Sequence, residues 1–471
     1  MFFHQFYFEG LGHASYLLGS EKTGEALVFD PRRDVDDYLA LARDRGLRVR
    51  YALDSHGHND YLSGVTQLAA RTGAQALGAA TAGLGYPHRP LRDGQQFEIG
   101  EIGVEVLHTP GHTPEHISLL VYDGDAAADE PALLLSGGAL LVGDLARPDL
   151  LGGRAEAEES ARALCATVRD KILSLPDHVE VFPTHVAGSL CGGSIGSRLS
   201  TTVGYERRTN SRLAESEDTE RFVEHCLRPD ALPAVPPYWR RMRAQNLAGV
   251  ETFGLVEEPP ALTVEQVREA RGDGAVVLDV RSPEAFGGSH VPGALNVGLG
   301  PSFATWAGTV LPEDARVILV ADRPEDVWTV TWDLLRIGYD PPAGWLAGGM
   351  AAWRAADEPL ARVPQITVHE LRDLMRAGEV NLLDVRQPAE WSAGHAPGAA
   401  FITGAELPGR LDEAPADKPL AVACGTGYRS SAAASLLAAY RDVQVLNVLG
   451  GMAAWRAAGL PTEVPAEPVA S

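Results

Sequence analysis

The strongest constraint on this chain is that its C-terminal half repeats itself. The segment VVLDVRSPEAFGGSHVPGALNV at 276–297 returns as LLDVRQPAEWSAGHAPGAAFI at 382–402, and AGGMAAWRAA at 347–356 returns as LGGMAAWRAA at 449–458. A repeat of about a hundred residues is the size of a small domain, so two homologous domains must follow one another. Each copy opens with a capping-box signal, Thr263 to Gln266 and Thr367 to Glu370. A short apolar strand ending in Asp-Val-Arg follows, and a second one (VILVA, PLAVA) precedes another helical stretch. Strands alternating with helices predict parallel α/β sheets. Proline-stiffened connectors at Pro233, Pro236 and Pro237, at Pro259 and Pro260, and at Pro359 and Pro364 divide the chain. The expected domains are 1–245, 246–360 and 361–471, which suits a length of 471 residues.

Charge narrows the partners. Sixty-three acidic against 40 basic residues give a formal charge of −23, which repels phosphate backbones and anionic membranes. No nucleic-acid or membrane partner is expected. No apolar run reaches the roughly 20 residues of a membrane helix, and MFFHQFYFEG lacks a basic segment followed by a long apolar one. Four cysteines are too few for a disulfide scaffold and suit a reducing compartment. The expectation is a soluble, unexported, cytoplasmic protein, with homo-oligomerisation left open.

Residues 1 to about 245 combine short strands such as SYLLGS, EALVFDP and VEVLHTP with helical stretches, as in stacked sheets flanked by helices. SHGHNDYLSG at 55–64 places His56, His58 and Asp60 on alternate positions after the apolar VRYAL. TPGHTPEH follows with His112 and His116, then LLVGDL with Asp144 and VFPTHVAG with His185. Each lies at or just past a strand-like run, where loops emerge and sites are built. The ordered set predicts a bound metal.

This series resembles the metallo-β-lactamase superfamily, whose signature is H-x-H-x-D-H followed by His, Asp and His. The resemblance implies an αββα sandwich. One position departs: Tyr61 stands where the binuclear hydrolases, the glyoxalase II branch among them, have a histidine that helps hold a second metal. A neutral phenol is a poor replacement, so the second site is expected to be lost. The stretches TPGHTPEHISLLV, LVGDLARPDL and THVAGSLCGGSIGSRLSTTVGYERRTN look like persulfide dioxygenases, especially bacterial ones fused to rhodanese domains. That likeness implies one Fe(II) per chain held by His56, His112 and Asp144, two imidazoles and a carboxylate with positions left open for O2 and substrate. His58, Asp60, Tyr61 and His185 then belong to the surrounding pocket, orienting ligands and polarising bound water. Cys191, close after His185, either contacts the persulfide there or packs as a small hydrophobe.

The last copy carries PLAVACGTGYRSSAA at 419–433, an apolar strand, a loop from Cys424 to Arg429 and an alanine-rich helix. Gly425 and Gly427 let the loop turn backbone N–H groups inward, and with Thr426, Tyr428, the helix start and Arg429 they form a cradle for an anionic sulfur or the end of thiosulfate. The loop with its DVR, GHAPGA and GGMAAW companions resembles rhodanese, a sulfurtransferase, over nearly the whole domain. The resemblance makes Cys424 the sulfur carrier and Arg429 its cation. In the first copy an offset of 102 residues sets Asp322 against Cys424 and Val327 against Arg429. A carboxylate cannot carry sulfane sulfur and Pro324 removes a donor, so that copy is expected to be catalytically silent.

The two likenesses together imply oxidation of a low-molecular-weight thiol persulfide with O2 to sulfite and thiol, coupled to sulfane-sulfur exchange among persulfide, sulfite and thiosulfate on Cys424. Two alternatives stay open. One is a zinc thioester hydrolase of the glyoxalase II kind joined to a sulfurtransferase, with His58 retained as a ligand. The other is a non-enzymatic persulfide sensor or sulfur carrier.

Overall fold

The computed structural model describes residues 1–126, 128–228 and 232–465. It forms two compact units, Met1–Leu232 with Trp239–Gly254, and Pro233–Tyr238 with Leu255–Ser471.

The first unit contains two six-stranded sheets. In one, Phe2–Phe8, His13–Ser20 and Glu25–Phe29 are antiparallel neighbours, and Arg48–Leu53, Gln75–Ala79 and Arg89–Leu91 extend the sheet in parallel. In the other, Gln96–Ile99, Ile102–His108, Ile117–Asp123 and Pro131–Gly137 are antiparallel, Glu180–Pro183 joins in parallel, and Thr201–Thr202 closes the edge. Successive side chains of a strand point to opposite faces. Tyr16, Leu18, Leu27, Phe29 and Leu53 therefore meet Val104, Val106, Leu119, Val121 and Leu135 between the sheets. The residues in alternation with them serve the outer faces. Leu17, Val28 and Ala52 pack on Tyr38 and Leu68 of the helices Asp36–Asp44 and Val65–Thr72, while Leu120, Leu134 and Val181 pack on Leu164 and Phe222 of Arg154–Thr167 and Thr219–Cys226. The result is the expected αββα layering, and it buries His13–Ser20 along its whole length.

The first unit runs past residue 245 because the helix Trp239–Ala248 and the chain after it are tied to it. Asn246 donates to the carbonyls of His58 and Tyr61, and Gln67 exchanges two hydrogen bonds with the backbone of Phe253. The expected boundary at 245 falls inside that helix.

The second unit holds both repeats. Each has a five-stranded, all-parallel sheet in which the strands, numbered within the repeat, lie in the order first, fifth, fourth, second, third. The Asp-Val-Arg motif is structural in both: Arg281 pairs with Asp279 at 2.6 Å and Arg386 with Asp384 at 2.7 Å, all four buried. The alanine-rich helix Tyr428–Tyr440 lies between its own sheet and the middle repeat. Buried Asn296 of the middle repeat donates its N–H to Ser435 Oγ at 2.8 Å and accepts from Ser431 Oγ at 2.6 Å. Small side chains permit that close approach. No described helix is long and apolar enough to cross a membrane.

Candidate metal centre and thiol loop

The strands Arg48–Leu53, Ile102–His108, Pro131–Gly137 and Glu180–Pro183 deliver His56, His112, Asp144 and His185 on the loops that follow them. All four are buried. One ring nitrogen each from His56, His112 and His185 lies within 4.8 Å of the others. His112 Nδ1 donates to the Arg147 carbonyl at 2.8 Å, which leaves Nε2 with a lone pair, buried and without a hydrogen-bond partner. Burial and the neighbouring His185 lower the His112 pKa to about 3, and burial with His58 and His112 holds His56 well below the usual imidazole value. Burial would lower the His185 pKa as well, but Cys191 and Asp60 beside it raise it well above the usual value. The neutral imidazoles of His56 and His112, one with an unspent Nε2, suit a divalent metal of borderline softness.

His116 is a different case. Its Nδ1 is engaged by Thr109 Oγ1 and its Nε2 accepts from the Gly138 N–H, each at 2.8 Å, so both nitrogens are consumed. Gly137, at φ +56, makes room for it, since a Cβ there would lie 2.5 Å from His116 Nε2.

Asp144 stands outside the histidine trio. Its carboxylate accepts from the N–H groups of Leu145 (2.8 Å) and Ser194 (2.7 Å) and lies 3.8 Å from Arg212 Nε. Asp60, His185 and Cys191 make a second group with donor atoms within 4.8 Å, which puts the Cys191 thiol beside the histidine cluster. Burial would raise the Asp60 pKa, but His185 and His58 outweigh it and bring it to about 2. Tyr61 is fully buried, its ring between those of His13 and His58, and its hydroxyl donates to the Asp30 carbonyl at 3.2 Å. Burial pushes the Tyr61 pKa well above its usual value, so the phenol stays neutral. His58 places Nε2 3.1 Å from Asp30 Oδ1, while its Nδ1 is buried without a partner.

Several residues that hold this site escaped the reading of the sequence. Asp30, buried and at φ +52, also accepts from the backbone and hydroxyl of Ser55. Glu115 accepts from the Gly57 N–H and pairs with Arg243 at 2.7 Å, so two turns of Trp239–Ala248 clamp the HGHNDY loop. Glu206 and Asn210 brace the turn that carries Asp144. Asp30 lies in EALVFDP, Glu115 in TPGHTPEH, and Glu206 and Asn210 in GYERRTN, where nothing local says which distant loop these side chains will meet.

In the last repeat Cys424 follows the strand Leu420–Ala423, and its buried Sγ accepts from the Gly427 N–H at 3.1 Å. Gly427, at φ +107, caps the helix Tyr428–Tyr440. The GGMAAW motif closes on the loop from behind: Met452 N–H donates to the Cys424 carbonyl at 2.7 Å and Ala453 N–H to Gly425 at 2.9 Å. Gly451 cannot be larger there, because a Cβ would lie 2.3 Å from the Cys424 carbonyl oxygen. The Tyr428 hydroxyl donates to the Gly298 carbonyl of the middle repeat at 2.7 Å. Arg429 makes two hydrogen bonds with the Glu390 carboxylate, at 2.6 and 2.7 Å, and Arg429 holds the Glu390 pKa below its ordinary value against the upward push of burial.

The middle repeat differs by one residue from the sequence pairing. Asp279 is registered with Val320 as Asp384 is with Ala423, so Ala321, rather than Asp322, stands where Cys424 stands. Three residues, 321–323, then precede the helix Pro324–Arg336, against four in the last repeat. The pairing by motif offset missed this shortening. The position still offers no sulfur.

Comparison with known proteins follows the same division. Residues 9–185 match the metallo-beta-lactamase superfamily, and residues 263–356 and 367–458 each match the rhodanese-like domain. Persulfide dioxygenase ETHE1, mitochondrial, of Bos taurus is 30% identical over 212 residues, 45% of this chain and 74% of that protein. The chain belongs to the metallo-beta-lactamase superfamily. Two rhodanese-like domains follow its lactamase domain. A hydroxyacylglutathione hydrolase of Polaromonas sp. is 31% identical over 174 residues, 36% of this chain and 61% of that protein. Among solved structures, a metallo-beta-lactamase from Staphylococcus aureus subsp. aureus COL matches with a TM-score of 0.66 and 34% identity, covering 73% of this chain and 98% of that one. Relatives named as persulfide dioxygenases, together with the two rhodanese-like domains, support an enzyme of sulfur metabolism.

Proposed function

We propose that this protein oxidises a low-molecular-weight thiol persulfide and exchanges sulfane sulfur on Cys424, in the cytoplasm. The observation that carries the reading is the coexistence in one chain of a buried histidine cluster with an unspent His112 Nε2 and a glycine loop that aims a backbone N–H at a cysteine sulfur. The name of the Bos taurus relative supports the first half and the rhodanese-like match the second.

One Fe(II) is the proposed metal, with His56, His112 and Asp144 as its ligands, and when bound it supplies an open template for O2 and the persulfide. Arg147 fixes the His112 tautomer, so its Nε2 lone pair is available without rearrangement. Asp60, ionised, holds His185 at the edge of the cluster, where the imidazole can pass a proton to or from bound water. Tyr61, neutral and turned onto Asp30, keeps a second cation from forming a pair with the first. The net reaction is RSSH + O2 + H2O → RSH + sulfite + 2 H⁺, in which the terminal sulfur is oxidised and O2 reduced.

At the second site the Cys424 thiolate attacks the sulfane sulfur of RSSH, the S–S bond breaks and RS⁻ departs, leaving Cys424–SSH. Sulfite then takes that sulfur as thiosulfate and regenerates the thiol. The Gly427 N–H supports the anionic sulfur throughout. The middle repeat, without a sulfur at Ala321, packs the helix that carries the loop.

Iron-loaded protein given glutathione persulfide in air is expected to consume O2 and release sulfite and thiosulfate. Thioester cleavage by zinc-loaded protein, with no O2 uptake in any metal form, would establish the hydrolase reading instead, which the unpartnered His58 Nδ1 favours.

A further inference from the structure

We propose that Glu390 sets the donor preference of the Cys424 site, favouring the persulfide group of a thiol, which carries at most one charge, over thiosulfate, which carries two. The inference rests on the reading of Cys424 as the sulfur carrier and adds what that carrier accepts.

Arg429 is the cation of the loop, and it is already taken. Both of its terminal nitrogens are bonded to the two Glu390 oxygens, 2.6 and 2.7 Å away, a forked geometry that satisfies charge and hydrogen bonding together. The pair lies directly over the loop: a Cβ on Gly425 would be 2.8 Å from Arg429 Nη2 and 3.6 Å from Glu390 Oε1. Glu390 itself is fixed from below, since its Oε2 also accepts from the Gln387 N–H at the start of the helix Pro388–Ser392. Arg386 is buried and spent on Asp384 and on the Glu390 and Gly394 carbonyls, and Arg456 donates to the same Gly394 carbonyl. Within the six-residue loop, positions 425–428 are Gly, Thr, Gly and Tyr, which bring no charge.

An incoming dianion therefore meets backbone donors and a neutralised arginine. A persulfide needs only the backbone donors, because its reacting end is RSSH or RSS⁻. With RSSH the step is Cys424–S⁻ + RSSH → Cys424–SSH + RS⁻; with thiosulfate it is Cys424–S⁻ + S2O3²⁻ → Cys424–SS⁻ + SO3²⁻. In each, one S–S bond forms, one breaks, and the leaving group keeps the electron pair. Only the second crowds three negative charges together, two of them on the ligand, beside the Glu390 carboxylate. Forward and reverse steps share a transition state, so sulfite returning for the sulfur passes through the same crowding of negative charge. Loading of Cys424 by thiol persulfides is then fast, and exchange with the sulfite–thiosulfate couple is the slow half.

The test compares donors with cyanide as the common acceptor, where kcat/KM for each donor reports its own half of the double displacement. Glu390→Gln keeps an oxygen for Arg429 and Gln387 but removes the charge. The ratio of kcat/KM for thiosulfate to that for glutathione persulfide is expected to rise about fivefold or more, as for loss of one like charge beside a dianion in a partly exposed site. An unchanged or lower ratio overturns the proposal. If the variant does not fold, the wild-type protein decides: from about 20 to about 200 mM KCl its thiosulfate kcat/KM should hold or rise, and a steep fall, the mark of an available cation, overturns it. Wild-type protein that makes thiocyanate from neither donor would sink the sulfur-carrier reading itself, an outcome distinct from an unshifted ratio.

Discussion

Gly451→Ala is the sharpest perturbation of the thiol loop that leaves every reacting atom in place. Gly451 sits at φ +51, where an alanine costs roughly 1–2 kcal/mol. Its Cβ would also lie 2.3 Å from the Cys424 carbonyl oxygen and 2.8 Å from the Gly425 carbonyl carbon, both backbone atoms that cannot swing aside. Either the helix Gly451–Ala457 retreats, losing the Met452 and Ala453 hydrogen bonds to the loop, or the loop itself moves. The combined loss should be about 2–4 kcal/mol of stability. The middle repeat supplies the control. Gly349 occupies the matching site at φ +53, but its Cβ would be 3.1 Å from the Ala321 oxygen, so Gly349→Ala bears the backbone strain with little of the collision. Urea unfolding should place Gly451→Ala below Gly349→Ala by about 1–2 kcal/mol. Sulfur transfer to cyanide should fall at least about tenfold in Gly451→Ala, since displacement of a reacting group by a fraction of an ångström carries such penalties. It should stay near the wild-type rate in Gly349→Ala. Full transfer activity in a folded Gly451→Ala protein would refute the claim that the GGMAAW motif holds the cysteine loop in its working shape.

Three further outcomes are expected. Cys424→Ser should abolish thiocyanate formation while O2 uptake with a small persulfide continues, and the sulfur product should move from thiosulfate toward sulfite; loss of both activities in folded, iron-loaded protein would mean that sulfur reaches the metal only through Cys424. His112→Ala should remove most bound iron, and metal analysis of Asp144→Ala beside His185→Ala decides the third ligand: the proposed set requires the larger loss in Asp144→Ala, and full occupancy there would transfer the role to His185. Asn296→Ala in the middle repeat strands the Ser431 hydroxyl and two backbone carbonyls, so it should cost about 2–4 kcal/mol and lower sulfur transfer by the last repeat; thermal unfolding and thiocyanate assays unchanged from wild type would show that the middle repeat does not support the helix that follows the Cys424 loop.

The two rhodanese-like domains were legible in the sequence because a duplication displays its own boundaries and because glycine, tryptophan and the Asp-Val-Arg triplet are demanded locally. The buried Asp384–Arg386 pair is only two residues apart, and the Cys424 loop lies within one strand–helix turn. The mixture of short strands and helices suggested stacked sheets flanked by helices, and the αββα layering itself came through the family resemblance that the histidine motifs carry. His56, His112 and His185 stood out as well, since each follows its own strand and the spacing survives in one dimension. Tertiary structure alone decided the rest. It separated His116, whose two nitrogens are spent within the loop, from His112, whose Nε2 is not. It turned the Asp144 carboxylate to Ser194 and Arg212, brought Glu115 and Asn246 onto the HGHNDY loop, and set Glu390 across Arg429. It also put Ala321 rather than Asp322 opposite Cys424, because strand register, fixed by backbone hydrogen bonds, counts residues differently from a motif offset that spans a shortened loop. Local preference is written in neighbouring residues; which hydrogen bonds a side chain has left after folding depends on partners tens to hundreds of residues away, and that remainder is what a metal or a substrate meets.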